Sequence, residues 1–213
     1  YNDDETDNPR LNPFRYITYM FAYTKKKTVK GTRYHYQLIK DGQPLFHSKS
    51  KSKHSARSIP ISSGVECHFS QNSFAGILSV DQKKHIFSLH EEFLDGKELM
   101  TVQFEPAKGE MPRNIKATFH EFPEPNTSPQ KLIDLDLVSR KPEKNLNGQW
   151  TLSFGGKYVI PSVKNCILVQ EGRDNAMIST RRISSTACEV EVLESFSPLA
   201  LFGFLLSVFV SNL

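Results

Sequence analysis

Most of the chain alternates between apolar and polar residues with a period of two, which indicates strands that have one buried face. Over residues 15–24 the apolar positions are Ile17, Tyr19, Phe21 and Tyr23. Residues 32–39 alternate in the same way, and a lysine-rich turn separates the two runs. We therefore predict two neighbouring strands joined by a basic turn.

The same period continues almost to the end of the chain, and pairs such as Asp41-Gly42 and Asn147-Gly148 mark turns between the runs. Further strands are predicted at residues 43–48, 65–70, 74–80, 84–89, 99–105, 113–121, 131–138, 149–154, 165–170, 176–180 and 188–193. The chain is thus predicted to contain roughly a dozen strands.

The last stretch breaks this period and predicts a helix over residues 198–212. Ser197 is a suitable N-cap, because its hydroxyl accepts a hydrogen bond from a free helix amide, and Pro198 fits the first helical position. Apolar residues occupy nearly the whole circumference of this helix, so we expect it to be buried on all sides. About 15 residues at 1.5 Å each span ~22 Å, short of the ~30 Å hydrocarbon core of a bilayer, which favours burial within protein.

One side of the predicted helix carries small residues, namely Ala200, Gly203, Ser207 and Ser211. At roughly 100° per residue these four positions lie close together around the helix. We therefore expect another element of the protein to pack close to the helix backbone on this side.

Strands and helix together predict one architecture. A barrel of about eight strands is filled by its own side chains and one of about sixteen encloses water, so about a dozen strands leave room for one helix. The prediction is a mainly β (α+β) fold, a closed and roughly twelve-stranded antiparallel barrel with a central buried C-terminal hydrophobic helix. Residues 13–213 are predicted to form this domain, and the acidic residues 1–12 a loose N-terminal leader without a visible secretory signal.

Charge is informative by its position rather than by its total, since the net charge is only +4 and the pI about 8.9. Lysines and arginines cluster in the predicted loops, which points to polyanionic partners, either anionic lipid head groups or nucleic acid. Ordinary solvated loops are the alternative. Three cysteines, Cys67, Cys166 and Cys188, are too few and too scattered for a disulfide framework and suit a reducing compartment.

Motifs for catalysis or metal binding are missing from the sequence. The run Phe154-Gly155-Gly156-Lys157 lacks the spacing and the Ser or Thr of a phosphate-binding loop. Cys67 and His68 are adjacent, so on a strand they point to opposite faces and cannot share a metal ion. We predict a protein that is not an enzyme and that uses no cofactor or metal. Lysines and serines alternate over residues 48–58, where phosphorylation would release the segment from an anionic surface.

Three stretches of the last third resemble the C-terminal domain of the tubby family. Residues 140–142 read Arg-Lys-Pro, residues 148–157 read Gly-Gln-Trp-Thr-Leu-Ser-Phe-Gly-Gly-Lys, and residues 161–165 read Pro-Ser-Val-Lys-Asn. The family has Asn-Lys-x-Pro, Leu-x-Phe-x-Gly-Arg and Ala-Ser-Val-Lys-Asn-Phe in this order, and its terminal helix also begins with Pro-Leu. Met111-Pro-Arg113 is similar to the family's Gly-Pro-Arg, and the match over the first half of the chain is loose.

The resemblance implies a twelve-stranded barrel around a central helix. It also implies a membrane-tethered adaptor that binds phosphatidylinositol bisphosphate in a basic pocket and sorts membrane cargo, including to cilia. The family's head-group ligands lie in Gly-Lys-Leu-Arg-Ser, where this chain has Gly76-Ile77-Leu78-Ser79, and neither Ile nor Ser pairs with phosphate. The candidate phosphoinositide contacts are Arg113, Lys25, Lys27, Arg33, His35 and Lys116, of which Arg113 matches the family directly.

The leading hypothesis is therefore a non-enzymatic, tubby-like module that binds phosphoinositides or other anionic lipids at the cytoplasmic face of the plasma membrane. By resemblance, the cilium and the nucleus are further locations, an unidentified protein cargo is a partner, and the protein is a monomer. One alternative is a protein-interaction scaffold that kept the barrel but lost the lipid site, which Ile77 and Ser79 favour. A scramblase-like or membrane-inserted protein is another, while no recognition motif supports nucleic-acid binding.

Overall fold

The structure is a computed structural model, and it describes residues 15–51, 57–64, 74–92, 95–125 and 127–213. The strands within these ranges are β1 (Tyr16–Thr28), β2 (Gly31–Lys40), β3 (Gln43–Ser50), β4 (Ser58–Ser63), β5 (Phe74–Asp81), β6 (Ile86–Glu91), β7 (Glu98–Glu105), β8 (Asn114–Pro123), β9 (Leu132–Ser139), β10 (Glu143–Lys144), β11 (Trp150–Thr151), β12 (Cys166–Val169), β13 (Ala176–Arg182) and β14 (Ala187–Leu193). One helix, α1 (Pro198–Val210), follows them.

Twelve of the strands close into an antiparallel barrel, which confirms the predicted fold. Their order around the barrel is β1-β14-β13-β12-β9-β8-β7-β6-β5-β4-β3-β2. Strands β10 and β11 pair only with each other and form a separate two-stranded sheet. Most neighbours in the barrel are also neighbours along the chain, so short turns make most of the connections.

The inner face of the barrel follows the period-two pattern of the sequence. Tyr19 and Phe21 of β1 are buried, whereas Thr18 and Met20 are exposed. Met100, Val102 and Phe104 of β7 are buried in the same alternating way. Successive side chains of a strand point to opposite faces, so this pattern places one apolar set around the barrel axis and the polar set in solvent.

Helix α1 fills the space inside the barrel, and its residues 200–210 are all buried. The Ser197 side chain accepts a hydrogen bond from the Ala200 amide at 3.4 Å, and proline occupies the first turn, as predicted. A Cβ atom at Gly203 would lie 2.8 Å from Cδ2 of Leu89 in β6, so the small side of the helix does meet a closely packed wall. The helix ends at Val210, two residues before the predicted end.

The two ends of the barrel are defined by the turns between its strands. We call the end with the β1–β2, β3–β4, β5–β6, β7–β8 and β13–β14 turns the upper end, and the opposite one the lower end. Helix α1 starts after the lower end of β14 and runs upward. At the upper end Gln82 Nε2 donates to the Val210 carbonyl at 3.2 Å and Lys164 Nζ to the Ser211 carbonyl at 3.0 Å.

The strand predictions differ from the structure at residues 149–154, at β4 and at the short β10, which was not predicted. The prediction of a strand over residues 149–154 is wrong, because only Trp150–Thr151 is extended and it pairs outside the barrel. Strand β4 was missed, since Pro60 has no amide hydrogen and weakens the strand signal of its segment. The strand predicted at residues 65–70 and the leader at residues 1–12 lie outside the described residues, as does much of the Lys-Ser run.

Candidate functional site

The β1–β2 hairpin extends beyond the strands that flank it. Strand β1 pairs with β14 only as far as Ala22, and β2 pairs with β3 only as far as Tyr34. The remaining residues up to the turn pair with each other, for example Lys26 with Arg33. Val29 in the turn is fully exposed. The predicted basic turn is therefore the free tip of a two-stranded hairpin at the upper end.

Five exposed cations surround this tip. We call Lys25, Lys26, Lys27, Lys30 and Arg33 the hairpin cluster. The Lys25 ammonium group lies 5.9 Å from the ring centroid of Tyr34, and the other four cations form no ion pair within the described ranges. The hairpin cluster thus presents a dense positive charge to solvent without internal neutralisation.

Other turns at the upper end are also basic, whereas those at the lower end are mainly acidic. Upper-end turns and strand ends outside the hairpin carry Lys49, Lys51, Arg57, Lys83, Lys84, Lys108, Arg181 and Arg182, with Asp81, Glu105, Glu110 and Glu189. The lower β2–β3, β6–β7 and β8–β9 turns and their strand ends carry Asp41, Glu91, Glu92, Asp95, Glu98, Glu121 and Glu124, with Lys40, Lys97 and Lys131. The barrel is therefore electrically polarised along its axis.

Arg113 lies at the start of β8, where it holds two other segments of the upper end. Its Nη1 donates to the main-chain oxygen of Leu213 at 2.9 Å, and its Nη2 donates to the carbonyl of Val163 at 2.9 Å. The guanidinium carbon is 5.0 Å from the ring centroid of Phe104. Burial lowers the pKa of Arg113 from its ordinary value. This residue therefore ties the end of the central helix to the barrel wall.

Lys116, the next candidate along β8, is engaged in an exposed ion pair. Its Nζ lies 2.6 Å from Oε1 of Glu105 on β7, and this hydrogen bond raises the pKa of Lys116. Because the pair is on the outer surface, it contributes little to stability. The charge of Lys116 is thus largely neutralised by its neighbour.

His35 lies on β2 and forms a pair with His47 on β3. The Nε2 atom of His47 is 2.9 Å from the Gly64 carbonyl, which only accepts, so His47 Nε2 carries the hydrogen. His47 Nδ1 then accepts the hydrogen bond from His35 Nε2 at 3.0 Å. Burial, followed by the nearby His47 and Lys49, lowers the pKa of His35, so the neutral form is favoured.

The six candidate residues therefore do not form one pocket. Lys25, Lys27 and Arg33 lie together on the hairpin, and His35 lies lower on the same strand as Arg33. Arg113 and Lys116 lie at β8, and the four strands β14, β13, β12 and β9 separate β8 from β1 by the shorter way around the barrel. Sequence reasoning found the cations but could not place them around a closed sheet.

A cavity that the sequence did not indicate lies beside Arg113. It has a volume of about 730 Å³ and is formed by the start of β8, the end of β9 and the segment 140–165 that connects β9 to β12. Its apolar wall includes Trp150, Leu152, Phe154, Val159 and Val163. Of the described residues that line it, two are arginines, Arg113 and Arg140, and none is acidic. The cavity thus combines an apolar wall with positive charge.

Groups of three or more His, Cys, Asp or Glu residues that could bind a metal ion do not occur in the described part of the chain. Within the same ranges, no helix is both long and apolar enough to cross a bilayer. No protein-family model matches the chain, and no curated protein sequence matches it. The resemblance to the tubby family therefore stays a prediction.

Proposed function

We propose that the protein is a non-enzymatic adaptor module that binds anionic phospholipids, phosphoinositides among them, at a cytoplasmic membrane face. The observation that carries this proposal is the hairpin cluster, in which exposed cations surround the exposed side chain of Val29. Lysines and arginines near an anionic membrane contribute about 1 kcal/mol each, so five of them suffice for recruitment. Val29 adds an apolar contact at the point of closest approach.

The polarity of the barrel supports one orientation of the protein on the membrane. Upper-end turns bring further cations toward an anionic surface, while the acidic lower-end turns are repelled from it. Charges separated by more than about 10 Å are screened at moderate salt, so only the upper end contributes to the attraction. The barrel axis is therefore expected to stand across the plane of the membrane, with the hairpin in contact.

Recognition of the head group is expected to follow its charge more than its stereochemistry. The hairpin cluster lies on an exposed two-stranded surface and not around a closed pocket. On β5, Ile77 pairs with His90 of β6 and Ser79 pairs with Ser88 of β6. The side chains of Ile77 and Ser79 carry no positive charge. A bisphosphorylated inositol lipid should therefore bind more tightly than phosphatidylserine mainly because it carries more charge.

Vesicle flotation at 0.1 M salt tests the proposal with neutral vesicles and with vesicles that contain phosphatidylserine or phosphatidylinositol bisphosphate. A hairpin variant carries Lys26→Gln, Lys27→Gln, Lys30→Gln and Arg33→Gln. The control variant carries Arg15→Gln, Lys40→Gln, Lys97→Gln and Lys131→Gln, which changes the net charge equally at the lower end. We expect the hairpin variant to lose about 1000-fold in vesicle binding and the control less than about threefold.

Equal binding to neutral and anionic vesicles would end the proposal, and equal losses in both variants would show that net charge alone acts. The scaffold alternative is favoured by Ile77 and Ser79, which leave the family's head-group positions without charge. It predicts a protein partner whose capture is unchanged in the hairpin variant.

A further inference from the structure

The cavity beside Arg113 has the form of a small-molecule site. Its volume of about 730 Å³ falls within the roughly 300–1,000 Å³ that is typical of ligand pockets, and its wall is mostly apolar. Val163, one of its lining residues, has 71% of its surface exposed, so the cavity reaches solvent there. A ligand with an apolar body can therefore enter and cover this wall.

Among the described residues, no acidic side chain forms an ion pair with the arginines of the cavity. Both hydrogen bonds of Arg113 go to main-chain oxygens, those of Leu213 and Val163. Arg140 Nη2 likewise donates to the main-chain oxygen of Asp174, and neither arginine forms an ion pair within the described ranges. Arg113 is partly buried, and this burial lowers its pKa because the charged form loses part of its hydration. Each guanidinium group has five N–H donors, so both retain donors for an anion.

We propose that this cavity binds one amphiphilic anion, a carboxylate or phosphate group carried on a single apolar chain, such as a long-chain fatty acid. The anionic group pairs with the guanidinium groups of Arg113 and Arg140, whose planar forks match carboxylate and phosphate oxygens. The chain lies against Trp150, Leu152 and Phe154. The site is separate from the hairpin cluster, so this proposal does not depend on binding to membranes.

Trp150 provides a direct signal, because it is the only tryptophan of the chain and it lines the cavity. We expect oleate, titrated below its micellar concentration, to change the Trp150 fluorescence saturably with one site per chain. Methyl oleate has the same chain without the charge and should bind at least tenfold more weakly. Inorganic phosphate tests whether the anionic group alone is sufficient, and it should leave the fluorescence unchanged.

Val163→Asp places a carboxylate at the exposed side of the cavity and should weaken oleate binding about tenfold. Leu146→Asp is the matched control, since Leu146 is fully exposed and does not line the cavity. This control should bind oleate within about twofold of the unchanged protein. Arg113→Gln should abolish the preference for oleate over methyl oleate. If this variant does not fold, the comparison of Val163→Asp with Leu146→Asp tests the proposal instead.

Three results would overturn the proposal: equal affinities for oleate and methyl oleate, a fluorescence change without saturation, or equal losses in the two Asp variants. The hairpin variant separates this proposal from the one on membranes. It should lose vesicle binding and keep its affinity for oleate.

Discussion

The hairpin cluster and the cavity of Arg113 both place cations at the upper end, but their surroundings are opposite. Cations of the hairpin cluster stand in solvent on a projecting hairpin, and four of them have no ion-pair partner among the described residues. Arg113 is packed on Phe104 and donates to two main-chain oxygens. A positive charge on the hairpin can thus attract an anionic partner from a distance. At Arg113 the same charge instead holds neighbouring segments together and is placed for short-range contacts.

The contrast has a physical cause in solvation. An exposed ammonium group keeps its water and acts through a screened field, so its effect is additive, dependent on salt and nearly independent of the fold. A guanidinium group that has lost water must be compensated by hydrogen bonds, so its removal disturbs the segments it holds. Changes at the hairpin should therefore alter binding alone, and changes near Arg113 should alter stability as well.

The largest effect is expected where helix α1 packs closely against β6 inside the barrel. Gly203→Leu forces four additional carbon atoms against Leu89, whose Cδ2 would be only 2.8 Å from the new Cβ. Overpacking of this kind should reduce the free energy of unfolding by about 3 kcal/mol. Thr24→Leu, on the exposed face of the hairpin, should change it by less than about 0.5 kcal/mol. Urea denaturation measures both, and similar losses in the two variants would contradict the comparison.

The next effect concerns the two kinds of cation directly. Arg113→Ala removes two hydrogen bonds and leaves the Leu213 and Val163 carbonyls without this donor, so it should cost about 2 kcal/mol of unfolding free energy. Lys27→Ala should be neutral within about 0.5 kcal/mol. The same denaturation experiment applies. A neutral Arg113→Ala variant would remove the structural role that we assign to this side chain.

Salt should separate the two proposed binding modes by roughly a factor of ten. Raising NaCl from 0.1 M to 0.5 M shortens the screening length from about 10 Å to about 4 Å. Vesicle binding through the hairpin cluster should then weaken about tenfold, whereas oleate binding at Arg113 should change less than about twofold. Parallel flotation and Trp150 fluorescence titrations measure this difference, and an equal salt dependence would place both modes on the exposed surface.

The smallest effects concern two histidines, His35 and His120, which should change the free energy of unfolding with pH in opposite directions. Burial, His47 and Lys49 lower the pKa of His35, so the stability it provides is present above pH 6.5 and is lost as the pH falls. Burial acts to lower the pKa of His120 as well, but hydrogen bonds to Asp134 and Glu98 outweigh it and raise the pKa. His120 therefore stabilises the fold below pH 6.5, and this contribution is lost as the pH rises through its folded pKa.

Unfolding free energies at pH 5 and pH 7.5 test these signs. His35→Gln should reduce the loss of stability on acidification, and His120→Gln should increase it. If both variants shift the profile in the same direction, the assignment of one histidine to a basic environment and the other to an acidic one is wrong.

Sequence reasoning predicted the barrel because its signals are local and repeated. Tyr34 and Tyr36 are each flanked by polar residues, and the Ser197-Pro198 start of an all-apolar helix can be read without any long-range contact. It failed where local signals were weak. Pro60 weakens the sequence signal of β4, and the apolar residues around Trp150 predict a barrel strand although they form the wall of a cavity.

Residues that are adjacent in the chain are sufficient to predict the period of the strands, the burial of the helix and the presence of a basic turn. The folded barrel, in contrast, places Lys25, Lys27 and Arg33 far around the sheet from Arg113 and Lys116. It also brought Arg113, Arg140 and Trp150 to one cavity. Closure of a twelve-stranded sheet sets these distances, and residues far apart in sequence carry no local signal of it.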